Sequence, residues 1–206
     1  MIKNLIFDMG GVIVDVHLEE AVRQFKAIGV VDAAQQIDSN NHKGFFLDFE
    51  NGDIDTETFC RLLSDHAGKT IPEKEIVKAW KSIISKPLQF KLDYILELRK
   101  RYKVFLLSNN NPILIGWART TDFSDAGLPI THYFDKLYIS YEMKCTKPGH
   151  LIFEKMIQDS SIIPAESLFI EDGIRNINAA KELGFQVLQV ANGEDWRERL
   201  TAVLCG

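Results

Sequence analysis

The chain has 206 residues, 26% of them charged and 46% hydrophobic, which is enough apolar material for a packed core plus an insertion and too much for a disordered segment. A net charge of -5 leaves no basic footprint for nucleic acid or an anionic membrane, so an anionic ligand has to be held by local groups. The cysteines Cys60, Cys145 and Cys205 are odd in number, widely spaced and without a CxxC pair, a pattern that suggests neither a disulfide framework nor a zinc site. With no leader pattern or span-length apolar run, a cytoplasmic protein is expected, compatible with monomer or dimer.

In chain order, apolar β-rich runs at 4–14, 104–107, 136–139, 168–170 and 186–190 predict strands covered on both faces. Helical patterns at 88–101, 149–159 and 176–183 lie between the later runs, the last stopped by Gly184. Strand, helix, strand alternation implies a parallel sheet with right-handed crossovers, so the fold class is doubly wound α/β. Residues 17–86 break the alternation. Amphipathic segments at 18–28, 32–40, 55–67 and 72–84 predict helices, with helix starts near Asp55 and Pro72, a turn at Asn51-Gly52, and Pro87 closing the stretch. This is read as a helical cap domain inserted at 17–86 into a core made of 1–16 and 87–206.

Open parallel sheets bind ligands at the carboxyl ends of their strands, and polar groups collect there. Asp8, before Gly10-Gly11, is either a nucleophile or metal ligand, or an aspartate capping its own turn. Ser108 and Asn109 end the second core strand, where a hydroxyl and free N–H groups cradle phosphate or simply cap a helix. Lys147, ahead of Pro148, is placed to neutralise a phosphate and pair with a carboxylate, with Lys144 close enough to compete. Glu171-Asp172 offers hard oxygen ligands suited to Mg²⁺, or favourable charge at a helix start, and Asn176 is placed to orient them.

Taken in order, these groups resemble the four motifs of the haloacid dehalogenase (HAD) superfamily over essentially the whole chain, including a helical cap soon after the first motif. The resemblance implies a Rossmann-like core and a Mg²⁺-dependent phosphatase acting through an aspartyl-phosphate. It makes Asp8 the nucleophile, gives Ser108, Asn109 and Lys147 the phosphoryl group, and gives Asp8, the Gly10 main-chain carbonyl and Asp172 the metal, with Glu171 as a further acid. Gly10 is the departure: phosphatases of the family usually carry there the aspartate that protonates the leaving group, a contribution of ~10²–10⁴-fold.

Residues 7–15, 49–54 and 107–109 look like a bacterial subgroup that includes α-D-glucose-1-phosphate phosphatase and also has glycine at this position. A sugar phosphate substrate is therefore expected, since an anomeric leaving group tolerates a weak acid. The competing readings are a phosphoester-binding or regulatory protein with little turnover, and a haloacid dehalogenase, against which Glu171-Asp172 argues. In the cap, Phe45, Phe46 and Phe49 beside His42, Lys43 and Asp48 are read as core before pocket. His42 and Asp15 are candidate replacement acids, Asp15 being the better hinge. Trp80 and Trp117 are assigned to packing.

Overall fold

The structure, a computed structural model, describes residues 1–37 and 42–205. β1 (Asn4–Phe7) leads through a tight loop to helices α1 (Leu18–Ala27), α2 (Ala33–Gln36), α3 (Phe45–Asn51), α4 (Thr56–Ala67) and α5 (Glu73–Lys81). Next come α6 (Gln89–Leu98), β2 (Lys103–Ser108), α7 (Pro112–Ala118), β3 (Lys136–Ile139), α8 (Ser140–Met143) and α9 (His150–Ser160). The chain ends with β4 (Ser167–Glu171), α10 (Ile174–Glu182), β5 (Gln186–Gln189) and α11 (Arg197–Cys205). The strands form one parallel sheet in the order β3-β2-β1-β4-β5.

The apolar runs are continuous because the central strands are covered on both faces. Leu5 and Phe7, Val104 and Leu106, and Leu168 and Ile170 pack on one side. Ile6, Phe105, Leu107 and Phe169 pack on the other. Period-two alternation thus sends every side chain of these runs into apolar surroundings. Register brings the strand ends level: Phe7 pairs with Leu106 and Ile170, so Asp8, Ser108 and Glu171 emerge at one edge.

The first run is shorter than its apolar pattern predicts. β1 stops at Phe7, and residues 8–14 close into a loop through Gly11 N to Val14 O at 2.8 Å and Val14 N to Met9 O at 3.0 Å. Gly11, at φ +72, supplies the left-handed turn that a strand cannot contain.

Helices α1 to α5 surround their own apolar cluster, in which Phe25, Phe46, Phe49, Phe59 and Trp80 are fully buried. Phe46 and Phe49 are core, as expected. Trp117 packs edge-on to Phe123. α2 ends at Gln36, and residues 38–40 of the helix expected over 32–40 lie outside the described residues. The two connections to this helical unit run side by side. His17 N donates to Ile83 O at 2.7 Å and Ser85 N to Asp15 O at 3.1 Å, while the Asn192 amide takes both main-chain groups of Val16 at 2.8 and 3.0 Å. No helix is long and apolar enough to cross a membrane among the described residues.

Candidate active site

The sheet order reverses direction around β1 and β4, and a crevice opens beyond the carboxyl ends of neighbouring strands at such a point. A cavity of about 320 Å³ lies there. Asp8, Gly10, Ser108, Asn109, Lys147, Glu171, Asp172 and Asn176, all singled out from the sequence, line it.

Lys147 is the centre of charge. It is 2% exposed, and its Nζ lies 3.0 Å from Asp8 Oδ1 and 2.6 Å from Glu171 Oε2. Burial alone would depress the ammonium, but the two carboxylates reverse that and hold it above its ordinary value. Burial and the charge of Glu171 push Asp8 up to about 7, against the opposing pull of Lys147. Burial likewise raises Glu171 and Asp172, with the charge of Asp8 adding to the rise at Asp172. One ammonium does not compensate three carboxylates.

Oxygens of Asp8, Glu171 and Asp172 all lie within 4.8 Å of one another. Clustered hard oxygen donors with excess negative charge fit a small divalent cation. Within the cluster the roles divide. Both Glu171 oxygens are engaged, one by Lys147 and the other by Gly173 N at 3.0 Å, so Glu171 anchors the lysine. Asp172 stands against Gly11, where an added Cβ would lie 2.2 Å from its Oδ2. The bare loop makes room for this carboxylate.

The family-wide sequence pattern of haloacid dehalogenase-like hydrolases matches residues 2–184. The chain belongs to this family. Over 204 residues, 99% of both chains, the hydrolase is 45% identical to the D-ribitol-5-phosphate phosphatase of Bacteroides thetaiotaomicron. Its fold superposes with a TM-score of 0.96 on a HAD-like family hydrolase from Porphyromonas gingivalis, 40% identical over 100% of this chain and 99% of that one. A HAD family enzyme of Bacteroides thetaiotaomicron, solved in complex with magnesium and inorganic phosphate, gives a TM-score of 0.89 at 35% identity, covering 97% and 99% of the two chains.

Several expectations are refined by the hydrolase's geometry. The Asn109 side chain, expected at the phosphate, instead brackets the Lys147 backbone: Nδ2 donates to Lys147 O and Oδ1 accepts from Lys147 N, both at 2.8 Å. A planar amide satisfies both peptide groups at once, so Asn109 sets the position of the lysine while still lining the cavity. Lys144, the competitor of Lys147, turns away and donates to Gly52 O. Asp15 belongs to the paired connections, through its carbonyl. Trp80 is packed, as assigned, but it also forms part of the cavity wall.

Sequence reasoning missed Ser140 and Glu50. Ser140 is fully buried; its Oγ accepts from Asn110 N at 2.9 Å and lies 2.6 Å from the Glu50 carbonyl, to which it donates. It follows β3 directly, so the strand-end rule that selected Asp8 and Ser108 would have found it. Glu50 lies on α3, which Phe45, Phe46 and Phe49 mark by their helical spacing.

Proposed function

We propose that this hydrolase is a Mg²⁺-dependent phosphatase acting on a small phosphorylated sugar or sugar alcohol, with residues 17–86 as the cap over the substrate. The observation that carries the reading is Lys147, buried between Asp8 and Glu171 at the sheet's switch point with Asp172 alongside. The related enzymes named above, a sugar-alcohol phosphate phosphatase and a magnesium and phosphate complex, support it.

The Asp8 carboxylate attacks phosphorus as the ester oxygen departs, and water then hydrolyses the aspartyl-phosphate. Asp8 Oδ1 accepts from Met9 N at 2.7 Å and from Lys147, which aims the carboxylate along the sheet edge without a rotamer search. Lys147 offsets charge that develops on the phosphoryl oxygens, and Ser108 with the N–H groups after it receives those oxygens. Asp8, Asp172 and the Gly10 carbonyl would hold Mg²⁺, with Glu171 retained by Lys147. When bound, the cation supplies charge stabilisation and a fixed orientation for the phosphoryl group.

A phosphate-release screen with Mg²⁺ over D-ribitol 5-phosphate, glucose 1-phosphate, nucleotides and flavin mononucleotide tests the reading. Activity that survives both Asp8→Asn and EDTA would defeat it. Gly10 favours a second reading, a phosphoester-binding protein without turnover. Tight Mg²⁺-dependent binding of a phosphoester with no phosphate after long incubation would decide for that. Halide release from a 2-haloacid would instead point to dehalogenation.

A further inference from the structure

An ester of a sugar alcohol departs as an alkoxide unless a proton reaches it, and Gly10 has no side chain to deliver one. The gap matters more for an alcohol than for an anomeric sugar, whose leaving group is better.

Within the cavity, one acidic side chain among the described residues comes from the helical unit. Glu50 lines the wall with Asp8, Ser108 and Lys147, its side chain is 12% exposed, and His42 Nε2 lies 3.8 Å from its Oε1. By chain order it belongs to the cap, yet its backbone is fastened to the core. Ser140 Oγ reaches the Glu50 carbonyl at 2.6 Å and the Asn110 amide at 2.9 Å, so one hydroxyl joins Glu50 to the loop that follows Ser108.

The same end of α3 is fixed twice more. Lys144 Nζ donates to Gly52 O, and Gly52, at φ +76, sits so close to Tyr141 that a Cβ would lie 2.2 Å from the carbonyl oxygen. Three attachments hold this turn of helix against the strand ends. The backbone of Glu50 is therefore held beside the cavity that its side chain lines together with Asp8, Ser108 and Lys147. Burial raises the Glu50 carboxyl above its ordinary value, opposed by the charges of His42 and Lys147 and assisted by Asp8, which favours a form that carries a proton.

We infer that Glu50 is the proton donor and acceptor of the reaction, acting in place of a side chain at position 10. The inference rests on the phosphatase reading above. As the bond from Asp8 to phosphorus forms and the ester P–O bond breaks, the Glu50 proton passes to the departing oxygen. A neutral alcohol leaves, and Glu50 is a carboxylate. That carboxylate takes a proton from the water whose oxygen attacks the aspartyl-phosphate; the bond to Asp8 breaks, phosphate leaves, and both side chains regain their starting states.

The test uses the full chain with Mg²⁺, Glu50→Gln and Glu50→Asp, and two esters of opposite character. Propyl phosphate has a poor leaving group and no hydroxyl to recognise, whereas p-nitrophenyl phosphate releases a stable phenolate. Glu50→Gln should lower kcat on propyl phosphate by ~10²–10⁴-fold. On p-nitrophenyl phosphate it should give a burst of one nitrophenol per protein at the wild-type rate, then slow turnover for want of a base. Glu50→Asp, which keeps the acid and shortens its reach, should show the same selectivity with a smaller loss, and it carries the test if the glutamine variant does not fold.

A Glu50→Gln kcat on propyl phosphate within about threefold of wild type, where a general acid is worth ~10²-fold or more, would overturn the inference and leave the phosphatase reading standing. A raised KM for D-ribitol 5-phosphate with propyl phosphate untouched would overturn it too, making Glu50 a hydroxyl-binding residue. Wild-type inactivity on every ester would remove both.

Discussion

Gly11→Ala tests whether Asp172 depends on the bareness of the first loop. Gly11 sits at φ +72, and a Cβ there would lie 2.2 Å from Asp172 Oδ2 and 2.6 Å from its Cγ. The left-handed backbone alone costs an alanine about 1–2 kcal/mol. Gly127 isolates that part: its φ is +68, and an added Cβ meets nothing within 4 Å. In urea titrations without metal, both alanine variants should lose that ~1–2 kcal/mol. Only Gly11→Ala also pushes a proposed metal ligand aside, an effect that typically costs ~10–100-fold in metal affinity. Calorimetric titration with Mg²⁺ should therefore show a dissociation constant raised by that factor for Gly11→Ala and unchanged for Gly127→Ala. Wild-type Mg²⁺ affinity in Gly11→Ala would refute the assignment of Asp172, and an equal loss in both variants would show that strain alone is responsible.

Asp8→Asn should reduce phosphate release to background in a malachite-green assay while retaining the wild-type circular dichroism spectrum. EDTA should abolish release, and added Mg²⁺ should restore it. Asn109→Ala removes both bonds that bracket Lys147, for a stability loss of ~1–3 kcal/mol by urea titration and a fall in kcat larger than any rise in KM. At the opposite end of the sheet, Asp135 accepts from Arg99 Nη2 and from Val104 N, each at 2.7 Å, and although burial works against it these bonds hold its carboxyl below the usual 3.8. Its contribution is present above that value and lost as the pH falls through the lower folded one, so the stability gap between wild type and Asp135→Asn should shrink on acidification.

How much of this was legible in the sequence follows from the range of the forces involved. Leu5 to Phe7 and Leu168 to Ile170 announce themselves because a strand covered on both faces must be apolar at every position. Asp8, Ser108 and Glu171 follow those runs directly, so the tendency of ligands to gather at strand ends marks them in the sequence. What escaped depends on contacts between distant segments. Asn109 reads as a phosphate ligand, and that its amide also brackets the backbone of Lys147, 38 residues later, shows only in the fold. Glu50 lies in the 49–54 stretch that carries the subgroup resemblance, but nothing local gives it a role; Ser140, which holds its carbonyl, comes 90 residues later. The apolar run overstates β1 for a local reason: Met9 and Val12 to Val14 are all buried, but in a glycine turn instead of a strand.

Gly10 can then be understood through the room around it and not only through the carboxylate it lacks. An added Cβ at Gly10 would stand 3.2 Å from Val16 Cγ2, a tight fit against the residue whose main chain is clamped by Asn192. Adding an aspartate here therefore competes with the paired connections to the helical unit. The proton donor proposed on α3 avoids that conflict because its backbone is supported by Ser140 and Lys144 instead of by the first loop. Such an arrangement, if Glu50 acts as inferred, would tie chemistry to the helical unit: a displacement of α3 from the core would remove the proposed acid. Proton transfer from Glu50, as inferred above, would then depend on the attachments of this turn of helix to Ser140, Lys144 and Tyr141, the last so close that an alanine at Gly52 would meet the carbonyl at 2.2 Å.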